Sequence, residues 1–199
     1  MSARIMGVVD MGKVRAARGG GALSDAQAAR FDALYRDHFD FVYRNLRRLG
    51  VAEGQVDDAL QEVYLVVLRR IAVYEEGTHA RAWLYAIAAR VASNHRRGER
   101  RRGTPDSLSP EALPHAGKGP FERVARHEAR EVLHAFLDGL DEAKRHVFVM
   151  AELEQMTAPE ISETLGVNVN TVYARLRAAR RELARLTTAL RVAEGGRSG

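Results

Sequence analysis

The chain has 199 residues, of which 46% are apolar, no cysteine, and a formal net charge of +5. This length fits two small domains or one of ordinary size, and the apolar content excludes a chain that is disordered overall. The lack of cysteine excludes disulfides, thiolate metal sites and cysteine nucleophiles, and it is compatible with a reducing cytoplasm. The positive charge comes mostly from arginine, which favours an anionic partner, either nucleic acid or an acidic membrane surface.

Residues 1–22 show no helical periodicity and contain three consecutive glycines at positions 19–21, which predicts a flexible N-terminal tail. No apolar run in this tail is long enough for a signal peptide, and none elsewhere is long enough to cross a membrane. We therefore expect no membrane insertion and a cytoplasmic location.

Residues 23–102 contain three predicted helices. The first begins at Ser24, which can form a capping box with Gln27, and it stops at Gly50. The second covers about residues 55–72, and the third begins after Thr78 as its N-cap. Apolar residues at helical spacing give the second and third helices their inner faces: Leu60, Val63, Tyr64, Val67 and Ile71, then Leu84, Ile87, Ala88 and Val91.

Residues 103–120 hold four of the five prolines and three glycines, which is typical of a flexible linker. Helical patterns return over residues 121–190, and residues 191–199 are a predicted C-terminal tail. One helix covers about residues 121–138, and Asp141 can cap the next. The predicted inner face of the helix at residues 121–138 is Val124, Val132, Leu133, Phe136 and Leu137. No alternating strand pattern of useful length occurs.

The strongest local motif lies between Met156 and Leu183. Thr157 and Glu160 are spaced as a capping box, Gly166 allows a left-handed turn, and Asn168 can cap the helix that follows. This pattern predicts a helix-turn-helix. The predicted fold class is therefore all-α: two small helical domains joined by a flexible Pro/Gly-rich linker, the second with a helix-turn-helix.

The second helix of this motif has an apolar side and a cationic side. An arginine face on such a helix suits the major groove and its flanking phosphates, and we favour DNA binding over an ordinary solvated arginine face. The apolar side is Val172, Leu176, Ala179, Leu183 and Leu190, and the opposite side is Tyr173, Ala174, Arg177, Arg181 and Arg185.

The third helix has a polar stripe in which Trp83 lies in line with Arg90, Asn94, Arg97 and Arg101. An aromatic ring beside cations suits melted nucleic acid, which offers bases to stack on and phosphates to neutralise. Packing of this tryptophan into the core is the alternative that the pattern leaves open.

The second helix of the chain instead begins with acidic residues. Carboxylates at this position favour the helix dipole, so they can be simple helix-start acids in solvent. Because an acidic surface repels DNA, its functional interpretation is contact with a protein partner. The residues concerned are Asp57, Asp58, Gln61 and Glu62.

In chain order, these parts resemble a bacterial sigma factor of the small extracytoplasmic-function (ECF) group. FDALYRDHFDFVYRNLRRLG, DDALQEVYLVVLRR and ARAWLYAIAARVASNHRRGERRR are similar to that group's promoter-melting domain, region two. LDGLDEAKRHVFVMAELEQMTAPEISETLGVNVNTVYARLRAARREL is similar to its region four. The resemblance covers about residues 25–102 and 121–190, and it implies a sigma factor that gives core RNA polymerase its promoter specificity.

The resemblance also implies a role for each surface. The acidic start of the second helix would contact the clamp helices of the largest polymerase subunit, region four would meet the flap of the second-largest subunit, and the linker would thread toward the RNA exit path. Capture of a flipped −10 base is implied for Tyr74, Thr78, His79, Trp83, Arg90, Asn94, Arg96 and Arg97. Contact with the −35 motif is implied for Asn170, Thr171, Tyr173, Ala174, Arg175, Arg177 and Arg181. An anti-sigma protein is a further partner that the family leads us to expect.

Two departures from the family pattern limit what the resemblance implies about DNA sequence. Arg90 stands where members often have asparagine, and Tyr173-Ala174 stand where they often have a basic residue and a serine. The promoter sequence therefore does not follow from the resemblance.

A stand-alone helix-turn-helix regulator that binds duplex DNA as a dimer is the alternative function. It leaves the DALQEV segment and the stripe of Trp83 without a role. An enzyme is not predicted, because no HExxH motif, phosphate-binding glycine loop or catalytic pair of acids occurs, and neither a metal nor a cofactor is expected. His95 and His127 are interpreted as surface residues rather than metal ligands.

Overall fold

A computed structural model of the protein describes residues 23–74, 79–102 and 120–195. Every regular element in these ranges is a helix, which confirms the predicted all-α fold class. The chain divides into two compact units, Met1–Leu108 and Ser109–Gly199. None of the helices in the described ranges has the length and apolar character that a membrane crossing requires.

The first unit is built on three helices: α1 (Asp25–Arg48), α2 (Val56–Arg70) and α3 (Ala80–Arg102). Short 3₁₀ turns, Glu53–Gln55 and Ile71–Val73, lie at the two ends of α2. Each helix contacts the other two, so the apolar stripe of each is buried against its neighbours.

The start and the end of α1 follow the predicted signals. Ser24 and Gln27 form the reciprocal hydrogen bonds of a capping box. The helix ends at Arg48, and Gly50 has a φ of 84°, a left-handed conformation that glycine adopts without strain.

The start of α3 lies at Ala80, close to the predicted position. The backbone N–H of Trp83 donates to the carbonyl oxygen of His79 at 3.1 Å, which is a hydrogen bond of the first helical turn. Thr78, the predicted N-cap, lies outside the described residues.

The core of the first unit contains the residues that the helical spacing predicted for α2 and α3, all of them buried. Tyr64 lies at its centre, with its ring 4.7 Å from that of Tyr35 and 6.2 Å from that of Phe31, measured between centroids. Burial raises the pKa of the Tyr64 hydroxyl well above its usual value, so this group stays neutral.

The second unit contains α4 (Pro120–Gly139), α5 (Glu142–Phe148), a π turn (Val149–Leu153), α6 (Ala158–Leu165) and α7 (Val169–Gly195). Pro120, assigned to the linker above, is the first residue of α4, a position where its missing N–H costs little. The last helix also continues to Gly195, so it includes the first five residues of the predicted C-terminal tail.

The inner face of α4 is narrower than predicted. Phe136 and Leu137 are buried, but Val132 is 38% exposed and Leu133 is only partly buried. Val132 lies one turn before Phe136 on the same side of the helix, but packing within the described residues leaves its side chain more exposed than the spacing predicted. Val124 belongs to the residues whose side chains are not described.

The helix-turn-helix forms as its capping residues predict. Thr157 and Glu160 make a full capping box at the start of α6, and Gly166 ends that helix with a φ of 62°. The side-chain oxygen of Asn168 then accepts a hydrogen bond from the N–H of Asn170 at 2.8 Å. The predicted Asp141 cap of α5 is confirmed as well, since its carboxylate accepts from the N–H of Lys144 at 2.9 Å.

Candidate nucleic-acid and protein interfaces

The outer face of α7 forms a groove of cationic and uncharged side chains. Five of the seven residues that the resemblance assigned to −35 contact line this groove. These five are Asn170, Tyr173, Ala174, Arg177 and Arg181, and they are joined by Leu176, Arg180 and Ala184. On the opposite side of the helix, Val172 and Ala179 are fully buried, so packing fixes which face is presented to solvent.

The arginines of this groove differ in whether the protein already uses them. Arg177 and Arg181 are exposed, and within the described ranges neither takes part in an ion pair or a hydrogen bond. Arg180, which the sequence did not single out, is paired: its Nη2 lies 2.6 Å and its Nε 2.8 Å from Oε1 of Glu152 in the π turn. Two charges are therefore available to an anionic ligand, and a third is held by the protein.

The other two residues assigned to −35 contact, Thr171 and Arg175, do not line the groove. Both are partly buried on the flank of α7. Arg175 lies in the field of Asp141, whose pKa is lowered by the backbone N–H of Lys144, by the Lys144 side chain and by Arg175. The same flank carries an ion pair between Lys144 Nζ and Glu182 Oε1 at 2.7 Å.

The outer face of α3 is a second cationic surface. Arg90, Asn94 and Arg97 are exposed along it, and Nη2 of Arg97 donates to Oδ1 of Asn94 at 2.8 Å. Arg101 is also exposed, whereas Arg96 is partly buried. Four members of the predicted stripe, Arg90, Asn94, Arg97 and Arg101, are therefore exposed along α3.

Trp83 lies at the start of this surface and packs against the residue that precedes the loop. Its ring is 4.7 Å from that of Tyr74 between centroids, with an interplanar angle of 36°. Tyr74 is buried, and its carbonyl oxygen accepts a hydrogen bond from Nη1 of Arg30 at 3.2 Å. The Trp83 ring therefore packs on one side and remains partly exposed, and its contact with melted nucleic acid stays a prediction. His79 is exposed, and the rest of the loop lies outside the described residues.

The start of α2 is an acidic surface. Asp57, Asp58 and Glu62 are exposed and Gln61 is partly exposed. Oε1 of Glu62 lies 3.2 Å from Nε2 of His95, which ties this surface to α3.

The interpretation of His95 as a surface residue is wrong, because its side chain is only 14% exposed. Its Nδ1 lies 3.2 Å from the side-chain oxygen of Gln55. The ring therefore lies between the side chains of Gln55 and Glu62. Within the described ranges, no group of three or more histidine, aspartate or glutamate side chains could hold a metal ion. The side chain of His127 is not among those described.

Comparison with known families matches both units. Residues 34–102 match the Sigma-70 region 2 family, and residues 130–183 match the Sigma-70, region 4 family. The first match contains α2 and α3, and the second contains the helix-turn-helix.

Individual relatives agree. The ECF RNA polymerase sigma factor SigE of Mycolicibacterium smegmatis is 33% identical over 160 residues, which cover 77% of this chain and 60% of that protein. The ferric citrate uptake sigma factor FecI of Escherichia coli is 29% identical over 147 residues, covering 71% and 82%. The solved structure of CnrH in complex with the cytosolic domain of CnrY is 25% identical, has a TM-score of 0.61, and covers 89% of this chain and 96% of that one.

These matches favour the resemblance over the stand-alone regulator, because a helix-turn-helix regulator does not account for region 2 in residues 34–102. The chain therefore belongs to the Sigma-70 family, and within it to the ECF group of sigma factors that direct promoter-specific transcription.

Proposed function

We propose that this sigma factor works through three surfaces: the acidic start of α2 binds core RNA polymerase, the outer face of α3 engages the −10 element, and the outer face of α7 reads the −35 element. The observation that carries the proposal is the presence of both Sigma-70 regions in one chain, each with its polar face exposed. The role is regulatory, since the bound polymerase carries out nucleotide addition.

The acidic surface is suited to a protein rather than to DNA. Its exposed carboxylates repel phosphates, and charge complementarity across an interface increases the association rate with a basic partner surface. The partner proposed here is the clamp of the largest polymerase subunit, with the flap of the second-largest subunit contacting region four.

The two DNA-facing surfaces are suited to different forms of DNA. Trp83 beside exposed arginines offers stacking and phosphate neutralisation, which a melted strand requires. The groove of α7 follows a helix-turn-helix, whose second helix enters the major groove of duplex DNA. We propose that the holoenzyme uses α7 for duplex binding and α3 for base capture and melting.

This role also implies a further protein partner and a cellular location. The similar sigma factor CnrH is found in complex with the cytosolic domain of CnrY, and we propose that an anti-sigma protein likewise holds this chain. A protein that joins bacterial RNA polymerase acts where the polymerase is, which places it in the cytoplasm.

The experiment that tests the proposal is co-elution of the labelled chain with purified bacterial core RNA polymerase on a sizing column. We expect stoichiometric co-elution. The charge reversals Asp58→Lys and Glu62→Lys should each weaken it at least tenfold in competition, because they place a cation where the partner is expected to be basic.

His95→Gln is the matched control for the second variant. It removes the imidazole contact with Glu62 but leaves the carboxylate exposed, so polymerase binding should persist. If both charge reversals bound normally, the acidic surface would not be the polymerase contact. If the unaltered chain failed to co-elute while it still bound duplex DNA, the protein would act as a stand-alone regulator.

A further inference from the structure

The base preference of the α7 groove can be inferred from the two uncharged residues at its front. We propose that Tyr173 and Ala174 read the C5-methyl groups of thymine, so that this sigma factor selects −35 elements with thymine opposite this pair. The inference rests on the proposed role of α7 in −35 binding and adds the class of base that it prefers.

The position of the pair suits base contact. Tyr173 and Ala174 are the fifth and sixth residues of α7, and the residues near the start of a recognition helix are those that reach base edges. Both are exposed, and both line the groove with Asn170. Arg177 and Arg181 follow one and two turns later on the same face, where they can hold the flanking phosphates.

The chemistry of the pair selects among the bases. Alanine offers only a methyl group, and tyrosine offers an aromatic ring with a single hydroxyl. In the major groove every base edge presents hydrogen-bond donors or acceptors, and thymine alone adds a methyl group. A methyl group placed over a donor or acceptor leaves it without water or a partner, which is costly. The C5-methyl of thymine carries no such penalty and gains apolar contact.

The tyrosine ring is free to make this contact. It is 57% exposed, and within the described ranges it makes no hydrogen bond or ring contact. The nearest charged neighbours along the groove, Arg177 and Arg181, make no ion pair there either. The groove thus presents an apolar front followed by cations, which matches a base edge followed by a phosphate backbone.

The test begins with a promoter library whose −35 element is randomised, selected with holoenzyme. The selection is then repeated with holoenzyme that carries Ala174→Ser or Tyr173→Lys. A promoter position whose base preference changes is identified as one that contacts the altered residue. Each thymine at such a position is then replaced by deoxyuridine, which pairs identically but lacks the methyl group. We expect affinity to fall about fourfold for each methyl group removed.

The variants separate methyl contact from general DNA binding. Ala174→Ser and Tyr173→Lys should each bind thymine and uracil promoters with nearly equal affinity when the thymine is replaced at the position that the altered residue contacts. Tyr173→Phe keeps the ring and should keep the discrimination. Arg177→Ala should weaken both promoters by the same factor, because a phosphate contact does not depend on the methyl group.

The outcomes distinguish the inference from the function on which it rests. Selected elements without thymine at the contacted position, or equal binding of thymine and uracil DNA with −35 protection retained, would overturn the methyl contact alone. A holoenzyme that showed no preference at any −35 position would contradict the role of α7 itself.

Discussion

The two helices proposed to face DNA, α3 and α7, differ in the aromatic ring at the start of each exposed face. On α7, the Tyr173 ring makes no hydrogen bond or ring contact within the described ranges. On α3, the Trp83 ring is already packed on Tyr74, while both helices carry arginines that make no ion pair in those ranges. A helix that binds an intact duplex can present its contacts preformed, whereas one that captures an unstacked base exchanges contacts within the protein for contacts with DNA. The comparison therefore predicts that changes on α7 alter binding and changes on α3 alter the rate of opening.

The largest effect is expected from the double variant Arg177→Ala/Arg181→Ala. Removing two phosphate contacts should lower −35 duplex affinity about tenfold for each arginine at low salt. The slope of log affinity against log salt should become shallower by about 1.8. Both quantities can be read from binding of holoenzyme to a duplex −35 fragment across a salt series.

Arg180→Ala is the matched control for this loss. Arg180 lies in the same groove but is held by Glu152, so its removal should change the salt slope by clearly less than one unit. If Arg180→Ala lowered the duplex affinity and the salt slope as much as the loss of Arg177 or Arg181 does, the ion pair with Glu152 would open on binding. The three arginines would then contribute equally to DNA binding.

A smaller effect is expected from Trp83→Ala on α3. Loss of one stacking contact should slow open-complex formation about tenfold, since base–aromatic stacking contributes about 1–3 kcal/mol. Permanganate reactivity of −10 thymines would report the change, and binding of a duplex −35 fragment should stay the same.

Trp83→Phe shows whether the ring itself matters. This variant retains an aromatic surface against Tyr74 and should recover most of the opening rate, and thermal unfolding would show whether either change disturbs the first unit. Equal −35 and −10 defects in Trp83→Ala would contradict the division of roles between α3 and α7.

The smallest effect is expected at Asp141, which caps α5 and interacts electrostatically with Arg175 of α7. Its pKa is lowered by the backbone N–H of Lys144, then by the Lys144 side chain and Arg175. Because folding lowers this pKa, the stabilisation is fully present above the ordinary aspartate value of about 4 and is lost as the pH falls through the lower, folded value. Asp141→Asn keeps the cap but removes the charge. The cost at neutral pH should be below about 1 kcal/mol, because the Asp141 carboxylate is exposed to solvent.

The free energy of unfolding, measured between pH 2 and 7, should fall less steeply toward acid pH in Asp141→Asn than in the unaltered chain. Unchanged pH dependence would mean that the carboxylate acts only as a cap. In either case −35 affinity should change less than with any substitution on the groove face, because Asp141 lies on the opposite flank of the recognition helix.

The sequence alone determined the helices, their caps and the faces of α7. Capping boxes at Ser24 and Thr157, the turn at Gly166 and the cap at Asn168 depend on hydrogen bonds between residues two to five apart. Such contacts are encoded by local residue order. Helical periodicity likewise placed Tyr173 and Arg177 on one exposed face, because the apolar stripe on the other side had to be buried.

Only the tertiary structure determined which partners the side chains on these faces meet. The pairing of Arg180 with Glu152 joins residues 28 apart, and the bond of Arg30 to Tyr74 joins residues 44 apart. The contact of His95 with Gln55 joins residues 40 apart. The field of Asp141 on Arg175 and the exposure of Val132 likewise depend on which helices become neighbours. Periodicity gives the direction of a side chain from its own helix, but the partner that it meets depends on packing between helices.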